Sequence, residues 1–216
     1  MKILFIGNSY TFYNDLPSIV YNLAKDSGKD INVDSVTKGG RFLYENLGED
    51  EYSIKLRSLL TKNEYDILVL QEQSHFALKD YGKFEESIGL LKKLVSAGRT
   101  VLYATWGRKT GSELLDEYKI TSEEMTERLY LAYSSAAEKH GCEIAPVGLY
   151  FRQVSTKHPE IELYDKDKSH PSEAGSSLAA LVLYKRIFSE PPKVLSALPI
   201  DANTVDIILN SLGNLI

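Results

Sequence analysis

Two short runs constrain this chain more than any other feature. Ile3-Leu4-Phe5-Ile6 and Ile67-Leu68-Val69-Leu70 are unbroken apolar stretches, β-branched or aromatic in part. A strand with no polar face is covered on both sides, which is the mark of a parallel sheet between two layers of helices. Further strands are expected at residues 31–36, 100–105 and 143–147, with helical patterns between them at about 15–27, 51–60, 82–97 and 121–140. Two more helices are expected at 172–188 and 202–212. Residues 109–118 have no clear period and read as a loop or small insertion. Residues 148–169 read as irregular, with room for one helical turn. Strands alternating with helices, joined by right-handed crossovers, imply a three-layer α/β/α sandwich. Its five-stranded parallel sheet is expected in the flavodoxin-like order 2-1-3-4-5. No repeat or linker divides the 216 residues, so 1–216 is read as a single domain.

Composition removes several function classes. The formal net charge is −5 and no Lys/Arg cluster stands out, which argues against nucleic acid as a partner. No stretch approaches the apolar length of a membrane span. Only four consecutive apolar residues follow Lys2 before Gly7, too few for the apolar region of a signal peptide. A cytoplasmic location is expected, with export of a longer precursor left open. Cys142 is the only cysteine, so neither an intrachain disulfide nor a Cys-based zinc site is possible. No cofactor and no metal are expected. Oligomeric state is not legible.

The chemistry-bearing residues cluster where strands should end. Gly7-Asn8-Ser9 follows the first strand, in the space where open parallel sheets bind ligands. Ser9 is well placed there for a nucleophile; taken alone it is equally a turn residue or a helix N-cap. Asn8 is expected to hold the turn, and Asp15 to cap the next helix. Gly39-Gly40 after the second strand allows a positive φ and close backbone approach, or simply a tight turn. A serine needs a base. Of the four histidines, His140 ends a helix, His75 follows the third strand, and His158 and His170 precede prolines in the irregular stretch. His170 alone of the last two has a carboxylate, Asp167, three residues before it. Such a carboxylate fixes the imidazole tautomer and stabilises the imidazolium. Asp165 stands in reserve for that role.

Taken jointly, these features resemble the SGNH, or GDSL-like, hydrolases. Gly7-Asn8-Ser9 matches the family's first block and Asp167-Lys168-Ser169-His170-Pro171 its last. Gly40 matches the glycine of the second. The third block departs: Gln71-Glu72-Gln73-Ser74 stands in place of Gly-x-Asn-Asp, putting Gln73 at the asparagine's position. The resemblance implies a metal-independent serine hydrolase with Ser9 as nucleophile, His170 as base and Asp167 as orienter. It implies an oxyanion hole made by the backbone N–H groups of Ser9 and Gly40 and the side chain of Gln73, with Gln71 the competing amide. Tyr10, Gln71, Trp106 and Arg108 are expected to bind substrate. Their aromatic and amide groups suit a sugar ring, so the expected substrate is a small-molecule or carbohydrate ester with a small acyl group, acetyl above others. The altered third block favours one alternative, a non-catalytic ligand- or carbohydrate-binding protein on the same scaffold. A flavodoxin-like cofactor binder would need a glycine-rich loop after the first strand, and only Gly7 is present.

Overall fold

The computed structural model describes residues 1–213. Five parallel strands form the sheet: β1 (Lys2–Gly7), β2 (Asn32–Thr37), β3 (Ile67–Leu70), β4 (Arg99–Tyr103) and β5 (Glu143–Ala145). Their order is β2-β1-β3-β4-β5, as the alternation of elements predicts. In register, Ile3 lies beside Ile67 and Val33, and Val69 beside Val101.

The double burial read from the apolar runs holds residue by residue. Ile3 and Phe5 enter one core; Leu4 and Ile6 enter the other. The first core is covered by α2 (Leu16–Asp26), α8 (Val147–Lys157), α9 (Glu173–Phe188) and α10 (Ala202–Leu212). The second lies under α3 (Glu51–Leu60), α5 (Tyr81–Val95) and α7 (Ser122–His140). Fully burying each Leu, Ile or Phe contributes roughly 1.5–3 kcal/mol. Helix α9 is buried on nearly every side because α2, α8 and α10 all pack on it. The short α1 (Ser9–Phe12), α4 (Phe76–Lys79) and α6 (Glu113–Tyr118) sit in the connections.

Four local expectations are corrected. Residues 113–118 form α6 rather than loop, though five of its six side chains are polar or only half-buried. Val147–Lys157 is a full helix, not one turn in an irregular stretch, because burial of Val147, Tyr150, Phe151 and Val154 overrides its weak helical composition. Asp15 precedes α2 but makes no side-chain cap; it and Asn14 both have φ of 52°. Ser96, at φ 53°, ends α5, rather than Gly98. Helix α7 starts as its acidic first turn suggests, with Thr121 and Glu124 capping each other's backbone N–H groups. None of the described helices is long and apolar enough to cross a membrane.

Candidate active site

Strand order reverses between β1 and β3, so the loops leaving these two strands open a crevice at their carboxyl ends. Ser9 stands in the first loop and Gln73 in the second. Asn8 caps α1, its side chain accepting from Tyr10 N at 3.1 Å. The same side chain donates to Arg41 O at 3.0 Å, tying the Ser9 turn to the Gly40 loop. Gly7 must lack a side chain: a Cβ there would lie 2.4 Å from Thr11 Oγ1 and 2.7 Å from Gln71 Oε1.

Across the crevice, a tight loop carries Asp167 and His170. A bridge between Tyr164 and Pro171 closes it, with Asp165 N donating to His170 O at 2.8 Å. Asp167 Oδ1 accepts from the backbone N–H groups of Ser169 and His170 at 3.0 and 2.9 Å. Asp167 Oδ2 is hydrogen-bonded to His170 Nδ1. On its other side the ring places Nε2 2.8 Å from Ser9 Oγ. Burial raises the Asp167 carboxyl, but the hydrogen bonds from His170 and Ser169 outweigh it and hold the group below its ordinary value. It is therefore ionised where it meets the imidazole.

Two residues that the sequence reading passed over fix this approach. The Tyr13 ring stacks on His170 with centroids 4.2 Å apart and planes 13° from parallel. Asn14 Nδ2 donates to Pro171 O at 3.1 Å and to Ser176 Oγ at 2.9 Å. The Asn14-Asp15 pair carries turn chemistry that could have located the sharp bend behind both contacts. Asp165 takes no part in orienting the imidazole; its carboxylate accepts from Lys166 N. His140 bonds Glu85, and His158 lies near Glu160 at the surface.

The Gly40 loop is held from beneath. Gly40 has φ +69°, and a Cβ there would meet nothing within 4 Å. Next to it, buried Arg41 donates to Asn46, Asp50, Ser53 and Glu45 O. The Arg41 guanidinium beside Asp50 holds that carboxyl far below the usual carboxylate range. Glu72, wholly buried, accepts from Leu43 N at 3.1 Å and from Gln73 N at 2.6 Å. It thereby joins the loops after β2 and β3. Burial without a neighbouring cation pushes the Glu72 carboxyl up to about 8, against the lesser pull of those two N–H groups.

A small cavity of about 230 Å³ lies over Ser9 and His170. Tyr10, Gly40, Gln73, Ser74 and Arg108 line it. Gln73 Oε1 accepts from His75 N at 3.3 Å, which turns the amide so that Nε2 is free among the described residues. The backbone N–H groups of Ser9 and Gly40 likewise have no acceptor among the described residues. Two expected substrate contacts are corrected. Gln71 is 1% exposed and spent within the protein: its Oε1 accepts from Asn8 N and Thr11 Oγ1, and its Nε2 donates to Glu72 O. Trp106 is fully buried, stacked between Tyr10 and Phe151, and donates to Ser169 O at 3.1 Å. Both support the cavity from behind. A larger groove of about 680 Å³, beside Pro17, Tyr21 and Asp34, has no histidine among its described lining residues. Among the described residues no group of three or more His, Cys, Asp or Glu side chains could hold a metal ion.

No protein-family model matches the sequence, and no curated protein matches it significantly. Solved structures do. A Bacteroides uniformis protein of the DUF4886 family superposes with a TM-score of 0.80 at 17% identity, over 98% of this chain and 92% of that one. Axe2, an acetylxylan esterase from Geobacillus stearothermophilus, superposes with a TM-score of 0.63 at 16% identity, over 88% and 94%. These two share the fold. A protein from Slackia heliotrinireducens described as an SGNH hydrolase is 31% identical, with a TM-score of 0.74, over 87% of this chain and 98% of its own. With that identity over nearly the whole of the Slackia chain, the protein belongs to the SGNH hydrolases.

Proposed function

We propose that the chain is a serine esterase that removes a small acyl group, acetyl foremost, from a carbohydrate or another small alcohol. The observation that carries this reading is the continuous hydrogen-bonded line from Ser9 Oγ through His170 Nε2 and Nδ1 to Asp167. In the reaction, His170 Nε2 takes the proton of Ser9 as Oγ attacks the ester carbonyl. Asp167, ionised, stabilises the imidazolium that results. Negative charge develops on the carbonyl oxygen, which the N–H groups of Ser9, Gly40 and Gln73 Nε2 receive. Such donors are worth about 2.7–4 kcal/mol each in the transition state. The tetrahedral intermediate collapses, the alcohol leaves with the proton from His170, and an acyl group remains on Ser9. Water then attacks that acyl-enzyme while His170 accepts its proton. The acid departs and the hydroxyl is restored. No step requires a metal.

The small cavity supports a short acyl group, and the acetylxylan esterase among the structural neighbours supports acetyl on a sugar. Hydrolysis of p-nitrophenyl acetate tests the reading. Ser9→Ala is expected to reduce it by at least about 10⁴-fold, and a fluorophosphonate probe is expected to label Ser9 alone. Activity that survives Ser9→Ala, or labelling elsewhere, overturns the assignment.

A further inference from the structure

One cation in the cavity has no counter-charge. Elsewhere, Arg41 is matched by Asp50 and Arg99 by Glu143, and Arg186, itself without an ion pair among the described residues, lies where its charge is felt by Glu143. Arg108, half-buried just beyond β4, pairs with no carboxylate among the described residues. A guanidinium has five N–H donors. Among the described residues, the Arg108 side chain spends one, from Nη2 to Ser74 Oγ at 2.7 Å. Its Nε is buried with no partner among the described residues. The acid sharing the cavity, Asp167, is committed to His170 and to two backbone N–H groups. Burial first, and then the Arg108 charge, hold the His75 imidazole below its ordinary value, so that neighbour stays neutral.

A partly desolvated guanidinium with unmet donors is costly unless something answers it, and its planar fork fits a carboxylate. No lysine and no second arginine line the cavity, so the match is to a single negative charge rather than to a phosphate dianion. We propose that this site selects esters that carry a carboxylate, and that Arg108 is the group that binds it. The inference rests on the esterase reading of the same site and adds the class of substrate. The carboxylate belongs either to the alcohol, as in an acetylated uronic acid, or to the acyl group, as in a half-ester of a dicarboxylic acid.

Two matched pairs separate these sources: O-acetyl glucuronate against O-acetyl glucose, and 4-nitrophenyl monosuccinate against 4-nitrophenyl butyrate. In one pair the wild type is expected to prefer the charged ester by about tenfold or more in kcat/KM at low salt. That preference should shrink as salt is raised. In Arg108→Gln the charged-to-neutral ratio should fall to near one, and Arg108→Lys should keep part of it. Ratios near one for both wild-type pairs, or a ratio unchanged in Arg108→Gln, overturn the proposal while leaving the esterase intact. If Arg108→Gln does not fold, the wild-type ratios, their salt dependence and the lysine variant decide. Calorimetric titration with glucuronate and succinate, against glucose and butyramide, separates the two readings. Carboxylates that bind a protein hydrolysing no ester would keep the anion site and remove the esterase; no hydrolysis and no binding would remove both.

Discussion

The loops after β1, β2 and β3 hold Ser9, Gly40 and Gln73 through groups sunk in the protein, whereas the loop before α9 holds Asp167 and His170 close to water. On the first side, Asn8, Gln71, Glu72 and Arg41 are all buried; the first three each bond a backbone group of a neighbouring loop, and Arg41 braces its own loop from within. On the second, the side chains of Asp167 and His170 are 46% and 23% exposed; bonds within four residues and the Tyr13 ring order these two groups, while Asn14 and Trp106 tie the backbone of their loop to distant parts of the chain. The difference follows from what each side must do. In the proposed esterase, the donors for the developing oxyanion come from loops after three separate strands, and buried bonds between those loops hold them in register. An imidazole base needs a hydroxyl that donates to it and a carboxylate that orients it, and the Asp-x-x-His spacing supplies the orienter locally.

This contrast can be broken by substitution. Asp167→Asn is expected to cost about 10³–10⁴-fold in kcat, with the melting temperature nearly unchanged because the carboxylate is half-exposed. A melting temperature that drops with activity would show that the exposed side is structural too. Glu72→Gln tests the buried side through pH. A carboxyl raised from its ordinary 4.5 to about 8 binds its proton more tightly in the folded state. The stability it contributes is present below pH 4.5 and is lost as pH rises through about 8, on the order of a few kcal/mol. Denaturant titrations across that window should show this fall in the wild type and a flatter curve in the variant; parallel curves would contradict the burial argument. Gln71→Ala should lower stability by about 1–3 kcal/mol, by leaving Asn8 N–H and the Thr11 hydroxyl unpaired in the interior, and unfolding by urea would measure it. The smallest effect is expected for Tyr13→Leu. Loss of its stacking on His170 is worth about 0.5–1.5 kcal/mol, to be read as a several-fold fall in kcat/KM with stability held. A fall in stability alone would make Tyr13 mere packing.

The fold's layers were legible because apolar runs buried on two faces are a local signal. The meeting of Ser9 with His170, 161 positions apart, has no such signal and was legible only through the resemblance to the SGNH hydrolases, with the carboxylate three residues before the histidine as one block of it. Less of the surrounding shell was visible. Trp106 and Gln71 follow strands just as cavity residues do, and only packing shows that one is sandwiched by Tyr10 and Phe151 and the other spent on the Ser9 turn. Helix α8 was hidden for a related reason: its Gly148 and aromatic residues favour no helix locally, and its stability comes from the core it covers. The separate burial of Glu72 left no mark at all, since a glutamate beside two glutamines reads as surface.

The bend at Asn14 and Asp15 has a consequence for how this protein can vary. Two successive residues there occupy the left-handed backbone region, which asparagine, aspartate and glycine tolerate and β-branched residues do not. Through that bend the opening segment of the polypeptide reaches Pro171 and Ser176, more than 150 positions downstream. A drift to valine or isoleucine at either position would leave every reactive residue in the sequence unchanged and still loosen one of the ties between the two halves of the chemistry.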